Sequence, residues 1–313
     1  EITIAKGIGI LLVVLGHALK QTGVSNVPGN ALISIIYSFH MPLFFACSGF
    51  FFRDNNIINT TIKDMKILLI PWVSFSCLLM FSALIIYVIS HNYSLFQFDP
   101  INENSYCLYH TIWFLICLFI VRFIYRLIFK MCDGKLFIIS VLSVGGYLVA
   151  YMLNNYSFNI PFFIDSAMAM ICFYHLGYLF NKTNLYNKHL SKWFTICLFL
   201  IYVVMVKLLQ PHVCIKANEF PIYLIFLSSL PIFTLYHISC WFNSKFLIYC
   251  GTSSLVIMGL HHPIYDVLLS PIMNRILFPN SVECMLMVVI SLPIIYILQK
   301  LIMKYTPFLI GKF

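Results

Sequence analysis

Apolar runs of about twenty residues recur along the whole of this 313-residue chain, and charged residues fall mostly between them. A helix needs about 20 consecutive apolar residues to cross the hydrocarbon core of a bilayer. Inside lipid each backbone N–H and C=O must find its partner within the protein, so such runs read as membrane-spanning helices. Ten are read, at residues 3–21, 31–52, 66–90, 106–128, 136–153, 160–180, 193–210, 220–241, 246–269 and 283–303. Turn-forming stretches separate them, among them SNVPGN (25–30), FDPINENS (98–105) and NNYSFNIP (154–161). With no internal repeat and no long linker, residues 1–313 read as one all-α, polytopic membrane domain.

Composition excludes the soluble classes. The chain is 61% hydrophobic and 9% charged, with mean hydropathy +0.93, whereas soluble domains carry about a quarter charged residues. The net charge of +9 is no nucleic-acid signature, because the basic residues stand one to four at a time between the apolar runs. Fifteen of the nineteen Lys and Arg fall on one side of the expected membrane, and only Lys20, Lys207, Lys216 and Arg275 on the other. By the positive-inside rule, that split places both termini in the cytoplasm. Eleven cysteines show no CxxC pair, and most sit within apolar runs as small buried hydrophobes, so neither a disulfide nor a metal site is expected. No cleavable signal peptide is read. The chain opens on Glu1, so a short leader is expected to precede it.

Against that apolar background, the ionisable residues inside the runs stand out. Lys6 and His17 lie at opposite ends of KGIGILLVVLGH, ten residues between them, roughly 16 Å along a helix. Lys6 then sits at the cytoplasmic surface and His17 in the outer half of the membrane. His40 falls near mid-membrane on the second helix, where Pro42 is expected to kink the chain and free a carbonyl. The sixth helix carries Asp165 and His175, and the ninth carries His261, His262 and Asp266. Intramembrane ionisable groups are costly unless paired or facing a polar cavity. Two accounts are open: independent interhelical hydrogen bonds, or one shared polar chamber. At the cytoplasmic mouth Arg53, Lys63 and Lys66 cluster. They read either as orientation signals that also attract anionic lipid or as a site for the phosphates of an anionic cofactor.

These landmarks resemble a known family. Lys6 and His17 at this spacing match the Arg/Lys-to-His motif of the membrane-bound acyltransferase family 3, bacterial O-acetyltransferases that modify cell-surface polysaccharides. FHMPLFFACSGFFFR (39–53) resembles the family's second helix, IWFLICLF (112–119) its Trp-Phe-Leu segment, and GTSSLVIMGLHHPI (251–264) its late Gly/Ser-to-His motif. Within the family the chain is most similar to the subgroup related to fucose 4-O-acetylases. Two departures are visible: Lys6 stands where Arg is frequent, and Lys63 and Lys66 stand for an Arg-x-x-Arg pair. Both keep charge and lose planar, bidentate recognition.

The resemblance implies transfer of an acyl group, acetyl in the family, from cytoplasmic acyl-CoA to a hydroxyl of a cell-surface or lipid-linked glycan. It also implies a bacterial inner-membrane location, membrane lipids as surroundings, no metal cofactor and no nucleic-acid partner. No extracytoplasmic domain follows the tenth helix, so the stand-alone form is expected. His17 is then expected to act as general base or acyl carrier, with His40 or Asp165 orienting it, or His40 donating to the oxyanion. Lys6 would neutralise donor phosphate or anchor the first helix, Arg53, Lys63 and Lys66 would hold the donor, and Trp113, Asp165 and His261 would line the acceptor side. The rival reading is a proton-coupled transporter or exporter, which intramembrane His and Asp also suit. A non-catalytic scaffold has no need of so many buried ionisable groups.

Overall fold

The computed structural model describes residues 1–24, 27–90, 112–156, 160–187, 190–209, 222–273 and 278–312. The expected loop at 98–105, the first residues of the fourth and eighth runs, and Lys188, Lys216 and Arg275 lie outside these described residues. The described chain is all-α. Helices α1 (Ile2–Gln21), α2 (Val27–Tyr37) and α3 (His40–Phe50) are followed by α4 (Ile57–Asp64), a π-helical turn (Met65–Leu69) and α5 (Ile70–Ser90). Next come α6 (Trp113–Met131), α7 (Leu136–Asn155), α8 (Ile164–Lys182), α9 (Lys192–Leu209) and α10 (Leu224–Ser239). The chain closes with α11 (Lys245–Thr252), α12 (Ser254–Pro263), a second π-helical turn (Ile264–Leu269), α13 (Ser270–Met273) and α14 (Asn280–Tyr305).

Among the described residues, eight helical spans are long and apolar enough to cross a membrane. Two further helices occupy the expected fourth and eighth positions. One is α10, apolar but shorter. The other is α6, whose cytoplasmic half carries Arg122, Arg126 and Lys130. Large apolar side chains face outward along the spans, among them Val88, Phe137, Leu200 and Val289. An outward apolar face is what lipid requires of a spanning helix. This is an integral membrane protein.

The second span is broken rather than kinked. Its break falls at Ser38–Phe39, four residues before Pro42, which sits in the first turn of α3. There the missing N–H costs nothing, because first-turn amides have no intrahelical partner. The carbonyl that Pro42 leaves unmatched is that of Ser38, and Ser228 of α10 donates its hydroxyl to it. Tyr202 of α9 donates to the Ile35 carbonyl at 2.6 Å, so two neighbouring helices close the break.

Glycines set two close, parallel crossings. A Cβ at Gly251 would overlap the Thr3 carbonyl oxygen, and one at Gly7 would overlap the Leu247 carbonyl oxygen. Helices α1 and α11 thus meet backbone to backbone, as small residues allow in membranes. A second such crossing joins α3 and α8 through Gly49 and Gly177, and Asn181 Nδ2 donates to the Phe50 carbonyl across it, at 2.6 Å. Each pair advances in the same direction along both partners. Parallel packing of two spans demands an odd number of crossings between them.

The charge split makes a direct expectation for sidedness. Reporter fusions after Gly23, Tyr156 and Pro279 should read outside, and those after Asp54, Asp133, Asn184 and Phe242 should read inside. An inside signal at Tyr156 or Pro279 would break the assignment.

Candidate active site

Helix α1 and the late span run side by side from the Gly7–Gly251 contact to a cluster of imidazoles at their far end. Tyr265 fixes the register there, its hydroxyl donating to the Val14 carbonyl at 3.2 Å. His17 Nδ1 lies 2.5 Å from His262 Nε2 and 3.3 Å from His261 Nε2. His261 and His262 are buried and His17 is half-buried.

The outer partners decide which nitrogens carry protons. His261 Nδ1 lies 2.9 Å from the Ile257 carbonyl oxygen, which can only accept, so Nδ1 carries the hydrogen and Nε2 the lone pair. His262 Nδ1 faces Asp266 Oδ2 at 3.7 Å, an ionic distance whose field places the proton on Nδ1 as well. Asp266 is itself held through its other oxygen, Oδ1, which accepts from Gln21 Nε2 at 3.1 Å. His262 Nε2 is therefore an acceptor, His17 donates to it from Nδ1, and the lone pair of His17 comes to lie on Nε2. The order Asp266, His262, His17 is that of a carboxylate-oriented base with one extra imidazole inserted.

Helix chemistry places these groups. His262 and Asp266 are four residues apart, one turn on a single face. Pro263, which cannot supply an interior N–H, opens the π-helical turn that carries Tyr265 and Asp266; such turns recur at functional sites. Gly16 lets α2 come close beside His17: a Cβ there would stand 3.0 Å from the Tyr37 ring and 3.1 Å from the Ile36 side chain. Tyr37 stacks on the His17 imidazole, ring centroids 5.9 Å apart and planes 20° apart.

Of the residues expected at the site, His17 and His261 come together. His40 lies one ring away: its Nδ1 donates to the Ile36 carbonyl at 3.0 Å and its ring stands edge-on to Tyr37 at 4.8 Å. It reaches His17 through that tyrosine. Asp165 is buried at the start of α8, where its Oδ1 accepts the Ser166 amide at 2.7 Å. Trp113 opens α6 and packs on Phe163, 5.6 Å between ring centroids. The groups standing behind His17 are instead His262 and Asp266. His175, by contrast, is held by Tyr125 and Ser140, each at 2.8 Å, as a structural histidine would be.

At the other end of α1, Lys6 is half-buried, and Arg53, Lys63 and Lys66 are exposed. Asp64, between the two lysines, points the opposite way and is fully buried. It is bound by Arg126, and Arg122 Nη2 approaches its other oxygen at 3.0 Å, at an angle poor for a hydrogen bond. Two guanidinium groups thus face one carboxylate, and the excess positive charge adds to that of the exposed lysines. Removing one partner of such a buried ion pair typically costs about 3–5 kcal/mol. Also toward this end, a cavity of about 590 Å³ is lined by apolar side chains including Ala5, Cys47, Phe50, Phe180 and Phe233.

Comparison with known proteins agrees with this layout at the family level. No curated protein and no solved structure matches the chain. The model of the acyltransferase 3 family, described as an acyltransferase domain, matches residues 1–300, a stretch that contains both the cationic end of α1 and the histidine cluster. The chain is a membrane-embedded member of the acyltransferase 3 family.

Proposed function

We propose that this acyltransferase moves an acetyl group from cytoplasmic acyl-CoA to a hydroxyl of a cell-surface or lipid-linked glycan in the bacterial inner membrane. The observation that carries the reading is the chain from Asp266 through His262 to His17 Nδ1, which leaves the His17 Nε2 lone pair to take a proton. A hydroxyl is a poor nucleophile. As its oxygen attacks the thioester carbonyl carbon, its proton passes to His17 Nε2, the C–S bond breaks, and the departing CoA thiolate recovers that proton. The same nitrogen is placed to accept the acyl group first and pass it on. Imidazolium formed at His17 is stabilised through His262 by the Asp266 carboxylate.

The two ends of α1 divide the labour. Eleven helical steps, roughly 16 Å, separate Lys6 from His17, so a donor held at the cytoplasmic end must reach into the membrane. Lys6, Arg53, Lys63 and Lys66 are assigned to the donor's phosphates. His40, through Tyr37, supports the His17 ring. Trp113, Asp165 and His261 are assigned to the acceptor side, with a sugar hydroxyl as acceptor in keeping with the fucose O-acetylase resemblance. Membership of an acyltransferase family favours transfer over the carrier alternative.

Transfer from labelled acetyl-CoA by purified protein tests both halves. His17→Gln keeps hydrogen-bonding capacity, so a structural histidine would tolerate it at about 1–2 kcal/mol. Loss of a base should instead lower the rate by about 10²–10⁴-fold with the melting temperature little changed. A folded His17→Gln protein transferring near the wild-type rate would sink the mechanism. Replacing Lys63 and Lys66 together with Gln should raise the donor's apparent KM and spare kcat. An unchanged KM would return both lysines to orientation signals.

A further inference from the structure

Three imidazole nitrogens from opposite ends of the chain point at one another. His17 Nδ1, His261 Nε2 and His262 Nε2 all lie within 4.8 Å of one another. By the proton assignment above, His261 and His262 present lone pairs toward His17, and His17 Nδ1 has a single hydrogen to offer. Two acceptors facing one donor is a set that a cation completes better than a proton. Tetrahedral Zn²⁺ with Zn–N of ~2.0–2.1 Å sets ligand nitrogens about 3.3 Å apart. The His17–His261 separation is 3.3 Å and the His17–His262 separation 2.5 Å, so a small side-chain adjustment brings all three to ligand spacing.

The outer shell is also that of a metal site. Histidine ligands characteristically donate their second N–H to a carbonyl or carboxylate, which fixes the tautomer and strengthens the ligand. His261 does so to Ile257, and His262 faces Asp266, which Gln21 steadies. Three neutral imidazoles select Zn²⁺, Co²⁺ or Cu²⁺ over Mg²⁺ and Ca²⁺, which take oxygen ligands.

We propose that His17, His261 and His262 form a binding site for a divalent transition ion of the zinc class, and that its occupancy switches acyl transfer off. The second half rests on the base assignment to His17 above. A metal on His17 Nδ1 takes that lone pair and leaves the ring's single hydrogen on Nε2. The nitrogen that would accept the hydroxyl proton is then a donor. Base and metal ligand are mutually exclusive tautomers of one ring, and the ion competes with catalysis.

The test uses purified full-length protein in detergent, titrated with Zn²⁺ and Co²⁺ and with Mg²⁺ as control. One equivalent of Zn²⁺ should remain bound after desalting, Co²⁺ should show the visible absorption of a tetrahedral site, and Zn²⁺ should raise the melting temperature. Asp266→Asn keeps all three ligands and should weaken Zn²⁺ binding by about 10–100-fold. His261→Gln should weaken it more, with its melting curve reporting that it folds. Transfer should fall as the site fills and return with EDTA. Binding absent from the wild type, or unchanged in folded His261→Gln and Asp266→Asn proteins, overturns the site. Transfer that EDTA abolishes and Zn²⁺ restores overturns the inhibitory role. Stoichiometric, His261-dependent binding by a protein that transfers no acyl group supports the site and counts against the transfer reading alone.

Discussion

The structure depends on one contact between backbones: α1 lying against α11 with Gly7 and Gly251 at the crossing. In lipid, apolar side chains do not drive helices together as they do in water, so van der Waals packing and interhelical hydrogen bonds must do so. Two glycines let the carbonyls of Thr3 and Leu247 sit where side chains would otherwise stand. The two spans then rise in parallel, and His17 arrives beside His261 and His262 one membrane leaflet away. Any side chain at either glycine would pry the helices apart at one end and move the imidazoles at the other.

The same contact explains how buried polar groups are tolerated. Each lies where another helix supplies its partner: Ser228 and Tyr202 at the broken second span, Tyr125 and Ser140 at His175, Asp64 between Arg122 and Arg126. These are closed arrangements that fix helix positions. The histidine cluster differs because its bonds run in one direction, from a carboxylate through one imidazole to another, and end on a nitrogen with a lone pair to use. That asymmetry separates a reaction centre from interhelical glue. It also makes the cluster answer to cations, since the tautomer that serves as a base and the tautomer that binds metal differ only in where one hydrogen sits.

Much of this was legible in the sequence. Apolar run length marks the spans, and the Lys6-to-His17 spacing marks the first helix. What pattern reading misses has a physical reason each time. His261 was read as a site residue and His262 was not. Adjacent helical positions differ by about 100°, and no single sequence says which face meets α1. The i, i+4 pairing of His262 with Asp266 was the available clue, because it puts a carboxylate behind one imidazole and not the other. Cysteine spacing carries no information about a cluster whose ligands lie over 240 residues apart. Asp64 was hidden by Lys63 and Lys66 on either side, since its arginines come from another helix. Pro42 was read as the kink itself, whereas its ring constrains the carbonyl four residues earlier, where the helix breaks.

The central claim is that Asp266, His262 and His17 act as one unit. A double-mutant cycle on acyl transfer tests it most directly, with His17→Gln and His262→Gln made singly and together in folded protein. Groups that act as a unit are strongly non-additive, so the double variant should be about as slow as His17→Gln alone. Losses that simply multiply would mean that the two histidines act independently, and would contradict the account.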